Sequence, residues 1–199
     1  MIDFFLQAMC DMWFDVERLD MNMEARMHAC AMREFVNEKS KVFDNVKGIE
    51  KHLKPFILHA MIYNESRWQP EVVKKAKNPQ CGLMQVAPAY IKEKHNGKEV
   101  TCETLKDSIF NIEIAIKEHL EKYKNKDIDT MLLRYAKGPN CKEFESIEVC
   151  SDYDAKCEIK QLETECWKNG KQYANKIKSV AKKLYKIHKK NMKNVSFEN

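Results

Sequence analysis

Ile57-Leu58-His59-Ala60-Met61-Ile62-Tyr63-Asn64-Glu65-Ser66 is an apolar run that ends on a carboxylic acid. A helix begun near Lys54 sets Leu58, Met61 and Ile62 one and two turns behind Glu65, so its side chain leaves the backbone on the face that the run buries. Two readings fit this residue by itself. It can cap the helix end and turn back to water, as most glutamates do, because Trp68-Gln69-Pro70 closes the segment. Or it can stay on the apolar side, where lost hydration disfavours the charged form, lifts the pKa to roughly 6 or beyond and makes a proton donor near neutral pH.

Further blocks surround Glu65. Ala60 to Pro70 is followed by Gly82-Leu83-Met84-Gln85-Val86-Ala87-Pro88 and later by Arg134-Tyr135-Ala136-Lys137-Gly138-Pro139. Between them Leu105-Lys106-Asp107-Ser108-Ile109-Phe110-Asn111-Ile112 leads to Ile116, Leu120 and Tyr123, and Tyr173-Ala174-Asn175-Lys176-Ile177 comes last. In this order the blocks resemble the soluble lytic transglycosylase (SLT) family, the lysozyme-like domain of enzymes that cut peptidoglycan. That family's pattern is a helix ending in Glu-Ser, an aromatic and a proline soon after, then Gly-Leu-Met-Gln, and later Ala-Tyr-Asn-Ala-Gly-Pro. The resemblance runs from about Lys51 to the C-terminal helix.

It implies a mainly α, lysozyme-like domain of the goose-type lysozyme and SLT kind over residues 47–193, with a cysteine-containing insertion at 141–167 and an extra N-terminal helical segment at 1–46. It also implies that Glu65 is the catalytic acid and base. Gln85 would hydrogen-bond the sugar or steady Glu65, and Tyr135 would place its hydroxyl near the catalytic carboxyl or the substrate's acetamido group. Ser66, Met84 and Tyr90 would line the groove. Gln85 can equally serve backbone groups at a helix start, and a tyrosine can be a half-buried core residue. Gly82 and Gly138 are read as turn formers.

Three departures bear on substrate affinity. The link from Lys74 to Cys81 is about two residues longer than usual, which a surface loop absorbs. Ala136-Lys137 replaces Asn-Ala, so an amide is lost and a cation stands beside the expected cleft. Ala87 replaces a commoner larger apolar residue, loosening the packing of a sugar there.

The chain has 199 residues, 44% hydrophobic and 33% charged, enough for one sizeable core. Five glycines and five prolines are few, and with long helical periodicities they argue against a strand-rich protein. No apolar stretch approaches the ~20 residues that span a bilayer. The first helical pattern, Ile2, Phe5, Leu6, Met9, Trp13 and Val16, is broken by Asp3, Asp11 and Asp15 and does not read as a signal peptide. A wall-cutting enzyme without a leader is expected to be a bacteriophage protein, carried in the virion or held in the host cytoplasm before release, and acting in the periplasm and cell wall at infection or at lysis. The methionines at 21, 23, 27 and 32 fit either packing against the domain or an assembly arm that seats on virion or tail proteins.

Eight cysteines without Cys-x-x-Cys spacing, in a chain large enough to fold without staples, are expected to be mostly reduced. One or two disulfides among Cys141, Cys150, Cys157 and Cys166 are the alternative, and the scattered histidines disfavour zinc. From Lys168 to Lys193 there are ten lysines and no acid, flanking an apolar stripe of Tyr173, Ile177, Val180, Leu184 and Ile187. The stripe reads as core. The lysines fit a solvated face or attraction to anionic wall polymer or lipid headgroups. Confined to one helix without a stacking platform, the net charge of +5 does not indicate specific nucleic-acid binding.

Hydrolytic glycosidases generally need two carboxyl groups, and here only Glu65 is placed by a motif, with nothing aiming Glu71, Glu93, Glu99 or Asp107 at a cleft. A transglycosylase manages with one acid, because the substrate's own C6 hydroxyl is the nucleophile, and it needs no cofactor. Peptidoglycan strands are therefore the expected partner and 1,6-anhydro products the expected outcome. A hydrolysing lysozyme (muramidase), or a virion protein that kept the fold without activity, are the alternatives.

Overall fold

The computed structural model describes residues 21–150 and 157–195. The described part is mostly helical. Its centre is the helix of Lys54–Ser66, in which Phe56 to Ile62 are buried without interruption. A helix apolar all round has to be surrounded. The helices Arg33–Lys39 and Glu165–Val195 and the turn Ser40–Phe43 pack around it. In chain order the helices are α1 (Met23–Ala31), α2 (Arg33–Lys39), α3 (Lys54–Ser66), α4 (Ser108–Ala115), α5 (Ile128–Lys137) and α6 (Glu165–Val195).

Local chemistry sets their ends. Asn22, Asp107 and Asp127 cap α1, α4 and α5 by accepting the backbone N–H of Ala25, Phe110 and Thr130. Pro55 stands in the first turn of α3, where no N–H is missed. Arg67 and Trp68 turn the chain out of α3 with φ of 55° and 64°. Left-handed backbone costs energy for such residues, and complete burial of the Trp68 ring offsets it. Where α5 crosses α6, a Cβ on Gly170 would stand 2.4 Å from Leu133 Cγ, so glycine permits the close approach.

Residues 21–46, expected as an extension, contribute Ala25, Ala29, Val36, Phe43 and Val46 to the same core as α3. Met23 and Met27 of the methionine-rich run are exposed. Residues 1–20, with the first helical pattern, lie outside the described residues. No described helix is long and apolar enough to cross a membrane. Between α3 and α4 the chain has little regular structure beyond β1 (Val73–Lys74) paired antiparallel with β2 (Gln80–Cys81). After α5 a second hairpin, β3 (Phe144–Cys150) with β4 (Cys157–Glu163), fills most of the expected insertion.

The cysteines differ from the expectation that they are mostly reduced. Cys81 is bonded to Cys102 and Cys141 to Cys166, and the second hairpin sets Cys150 opposite Cys157. The size argument holds for the helical core but not for these two segments, which have few helical hydrogen bonds. Closing loops of 21 and 25 residues stabilises each by about 3 kcal/mol in the chain-entropy view.

His59 is the buried titratable group inside α3. Its Nε2 lies 2.9 Å from Asn37 Oδ1 and donates to it, and its ring lies 5.6 Å from that of Trp68. Burial, and then the charge of Arg33, lower its pKa to about 3 from 6.5. Between those values the unfolded chain binds a proton that the folded one does not, so stability falls as pH drops from 6.5 towards 3. The contribution amounts to about 5 kcal/mol. Denaturant titrations at stepped pH should show this slope, and His59→Gln should flatten it.

Candidate active site

A cleft of ≈ 940 Å³ opens where the end of α3 meets the segment after β2, the end of α5 and the middle of α6. Glu65 sits in the last turn of α3 with its side chain 11% exposed. It therefore neither turns out to water nor is sealed in the core. Tyr173 of α6 donates its hydroxyl to Glu65 Oε1 at 2.7 Å, and Lys74 Nζ lies 3.3 Å from Oε2. Burial, and then the charge of Glu65, push the Tyr173 phenol well above its usual 10. The hydroxyl thus keeps its proton and remains a donor throughout the neutral and mildly alkaline range. The rings of Tyr173 and Tyr135 stack with centroids 6.3 Å apart.

The opposite wall is the turn at Gly82 to Gln85. Gly82 has φ +74°, and a Cβ there would stand 2.2 Å from both Asn111 Nδ2 and the Leu105 carbonyl oxygen. Asn111 is fully buried and uses its whole amide: Nδ2 donates to the carbonyls of Cys81 (2.9 Å) and Leu105 (3.0 Å), and Oδ1 accepts the Met84 N–H at 2.7 Å. Gln85 takes a left-handed φ of 49° and donates Nε2 to the carbonyls of Val72 (3.0 Å) and Gly82 (2.8 Å). Its buried Oε1 has no hydrogen-bond partner among the described residues.

Of the residues singled out in the sequence, Glu65, Gln85, Tyr90 and Tyr135 line this cleft, and Ser66 and Met84 do not. Ser66 is buried and donates its hydroxyl to the Ile62 carbonyl inside α3. The Met84 side chain is fully buried, and only its carbonyl faces the cleft wall, accepting the Tyr135 hydroxyl. The Tyr135 hydroxyl thus donates to backbone rather than to Glu65, whose charge nonetheless joins burial, the larger cause, in pushing the Tyr135 phenol well above its usual 10. Tyr90 stands at the rim, 69% exposed, and its hydroxyl accepts from Asn78.

A family model described as "Transglycosylase SLT domain" matches residues 45–149. The chain belongs to the transglycosylase SLT family. Members are peptidoglycan lytic transglycosylases, so peptidoglycan is the substrate class. No curated protein and no solved structure matches the chain. Tyr173 lies beyond the matched residues.

This SLT domain also carries cleft groups that the sequence did not reveal. After α4 the helix widens into a π turn, Ile116–Leu120, which presents Glu118 and His119 to the cleft. Such turns often occur at functional sites, and no motif marks this one. Lys122 donates to Glu118 Oε2 at 2.9 Å, and the buried His95 brings Nε2 to 3.2 Å from Oε1. The Lys122 hydrogen bond, chiefly, holds the Glu118 carboxyl below its usual range. Burial lowers the pKa of His119, whose ring meets Tyr135 edge-on at 5.8 Å. Glu71, Glu93, Glu99 and Asp107 do not line the cleft. The signal available for Tyr173 was its place in the last family-like block, where the apolar stripe suggested core instead.

Gly82→Ala in this SLT domain combines a disfavoured φ with two contacts that neither backbone nor Asn111 can relieve. A loss of more than about 3 kcal/mol is expected, read as a lower unfolding midpoint in denaturant.

Proposed function

We propose that this chain is a lytic transglycosylase that cleaves the β-1,4 bond between N-acetylmuramic acid and N-acetylglucosamine, with Glu65 as both acid and base. The observation that carries this reading is the asymmetric setting of the Glu65 carboxyl in the cleft. Tyr173 fixes Oε1, which leaves Oε2, reached only by a half-exposed Lys74 among the described residues, as the oxygen that exchanges a proton with substrate.

In the first step the proton on Oε2 passes to the glycosidic oxygen as its bond to C1 of the muramic sugar breaks, and the electron pair leaves with the other sugar. In the second, the C6 hydroxyl of the same muramic sugar closes on C1 and gives its proton to the Oε2 carboxylate. No water is consumed, Glu65 ends protonated as it began, and the nucleophile is intramolecular, which removes most of the entropy of bringing two reactants together. Lys74 and Tyr173 both favour the negative charge that Glu65 carries between the two steps.

Hydrolysis is the second reading, and one observation favours it: contrary to the count made from sequence, a second carboxylate, Glu118, lines the same cleft. Its Oε2 accepts from Lys122 and its Oε1 lies 3.2 Å from the buried His95 Nε2, which argues against a free base for water. Disulfides at Cys81–Cys102 and Cys141–Cys166 support work in an oxidising compartment such as the cell wall space. A bacteriophage enzyme delivered there from the virion or at lysis is the setting we propose.

Digesting purified sacculi and weighing the released muropeptides tests the proposal. The wild-type protein should release 1,6-anhydro products, each lighter by one water than a hydrolysis product. Glu65→Gln should lower release about a thousandfold with its melting temperature kept. Tyr173→Phe should lower kcat about tenfold by removing one hydrogen bond to the charged carboxyl. Products carrying the extra water would establish a lysozyme. Persistent release by Glu65→Gln would remove Glu65 from the reaction, and sacculi that bind the protein without yielding fragments would mark an inactive virion component.

A further inference from the structure

Five cations line the cleft, Lys74, Lys122, Arg134, Lys137 and Lys176, against two carboxylates. Three of the five are engaged: Lys74 with Glu65, Lys122 with Glu118, and Arg134 with the carbonyls of Pro139 and Cys141. Lys137 and Lys176 are exposed and make no ion pair among the described residues. They arrive from different elements. Lys137 is the last residue of α5, just before the turn at Gly138, and Lys176 lies on α6 three residues after Tyr173, hence on the same face of the helix. Two unmatched charges on one concave wall raise the local concentration of anions there.

The proton transfers proposed for Glu65 leave these two cations unused, and the sugar rings of the glycan offer them no charge. The anion that must enter the cleft with the reacting muramic sugar is carried by the peptide on its lactyl group. We propose that Lys137 and Lys176 recognise a free carboxylate of that stem peptide, which makes the cleft selective for strands whose stem carboxylates are free over amidated ones. The inference rests on the cleft being a glycan site as argued above. Lys137, which stands where the family pattern has a small apolar residue, is on this account a specificity determinant.

Affinity measured on the full-length Glu65→Gln protein separates binding from turnover. Soluble labelled strands would be titrated in four forms: with intact stems, with stem carboxylates converted to amides, with stems removed and the exposed lactyl carboxyls amidated, and in that stem-free form bearing a phosphate-rich wall polymer. Intact strands should bind about three- to tenfold more tightly than the amidated or stem-free ones, the range for two exposed ion pairs. Adding Lys137→Ala and Lys176→Ala should abolish that difference, and arginine at both positions should restore it, with melting temperature unchanged throughout. Equal binding of intact and amidated strands, a preference that survives the alanine changes, or a preference that follows phosphate rather than the stem would overturn the inference. Fragment release by the wild type in parallel keeps the two readings apart. Release without lysine-dependent selectivity defeats this inference alone, and selectivity without release defeats the catalytic one alone.

Discussion

The hydrogen bond from Tyr173 to Glu65 joins two helices that are 108 residues apart in the chain, and the cleft exists because they meet there. α3 is buried from Phe56 to Ile62, so the polar groups it presents to the cleft, Asn64 and Glu65, come from its last turn. α6 supplies the matching donor from the edge of its apolar stripe, next to the buried Ala174 and Ile177. A half-buried carboxyl needs such a partner, because an unsatisfied one would cost more than the contact gains. The same contact fixes one carboxyl oxygen and leaves the other facing the cleft. Position and chemistry therefore come from one constraint.

A second fixed point holds the facing wall. Asn111 saturates its amide on three backbone groups from two loops, and the space it takes excludes any side chain at Gly82. Gln85 then repeats the device from inside the turn by donating to the carbonyls of Val72 and Gly82. The segment between α3 and α4 has few helical hydrogen bonds of its own, and two buried amides and the Cys81–Cys102 bond do the tying that a helix would do elsewhere.

What the sequence made legible follows from where its signals are local. The apolar run around Leu58 and Ile62, the scarcity of glycine and proline and the ordered blocks at Glu65, Gly82 and Tyr135 were enough for a mainly α, lysozyme-like fold. Contacts between distant segments were not readable. Met84 and Ser66 belong to the right blocks, yet helix and turn geometry send both side chains into the core. The Tyr135 hydroxyl donates to the Met84 carbonyl, and the donor to Glu65 is Tyr173, from the stripe read as core. Glu118 reaches the cleft through a π turn that periodicity cannot show, and the cysteine pairs, 21 and 25 residues apart, match no short motif.

The central claim is that a glycosidic oxygen is delivered to Oε2 of Glu65, the carboxyl oxygen that Tyr173 does not hold. A crystal structure of the Glu65→Gln protein with a muramic-acid-containing oligosaccharide examines it directly. The account predicts the scissile oxygen within about 3 Å of the residue 65 side chain, with the sugar held against the walls formed by Gln85, Tyr135 and Tyr173. An oligosaccharide bound in the separate cavity beside Lys39, Phe110 and Lys117, or lying in the cleft with every glycosidic oxygen out of reach of residue 65, would contradict it.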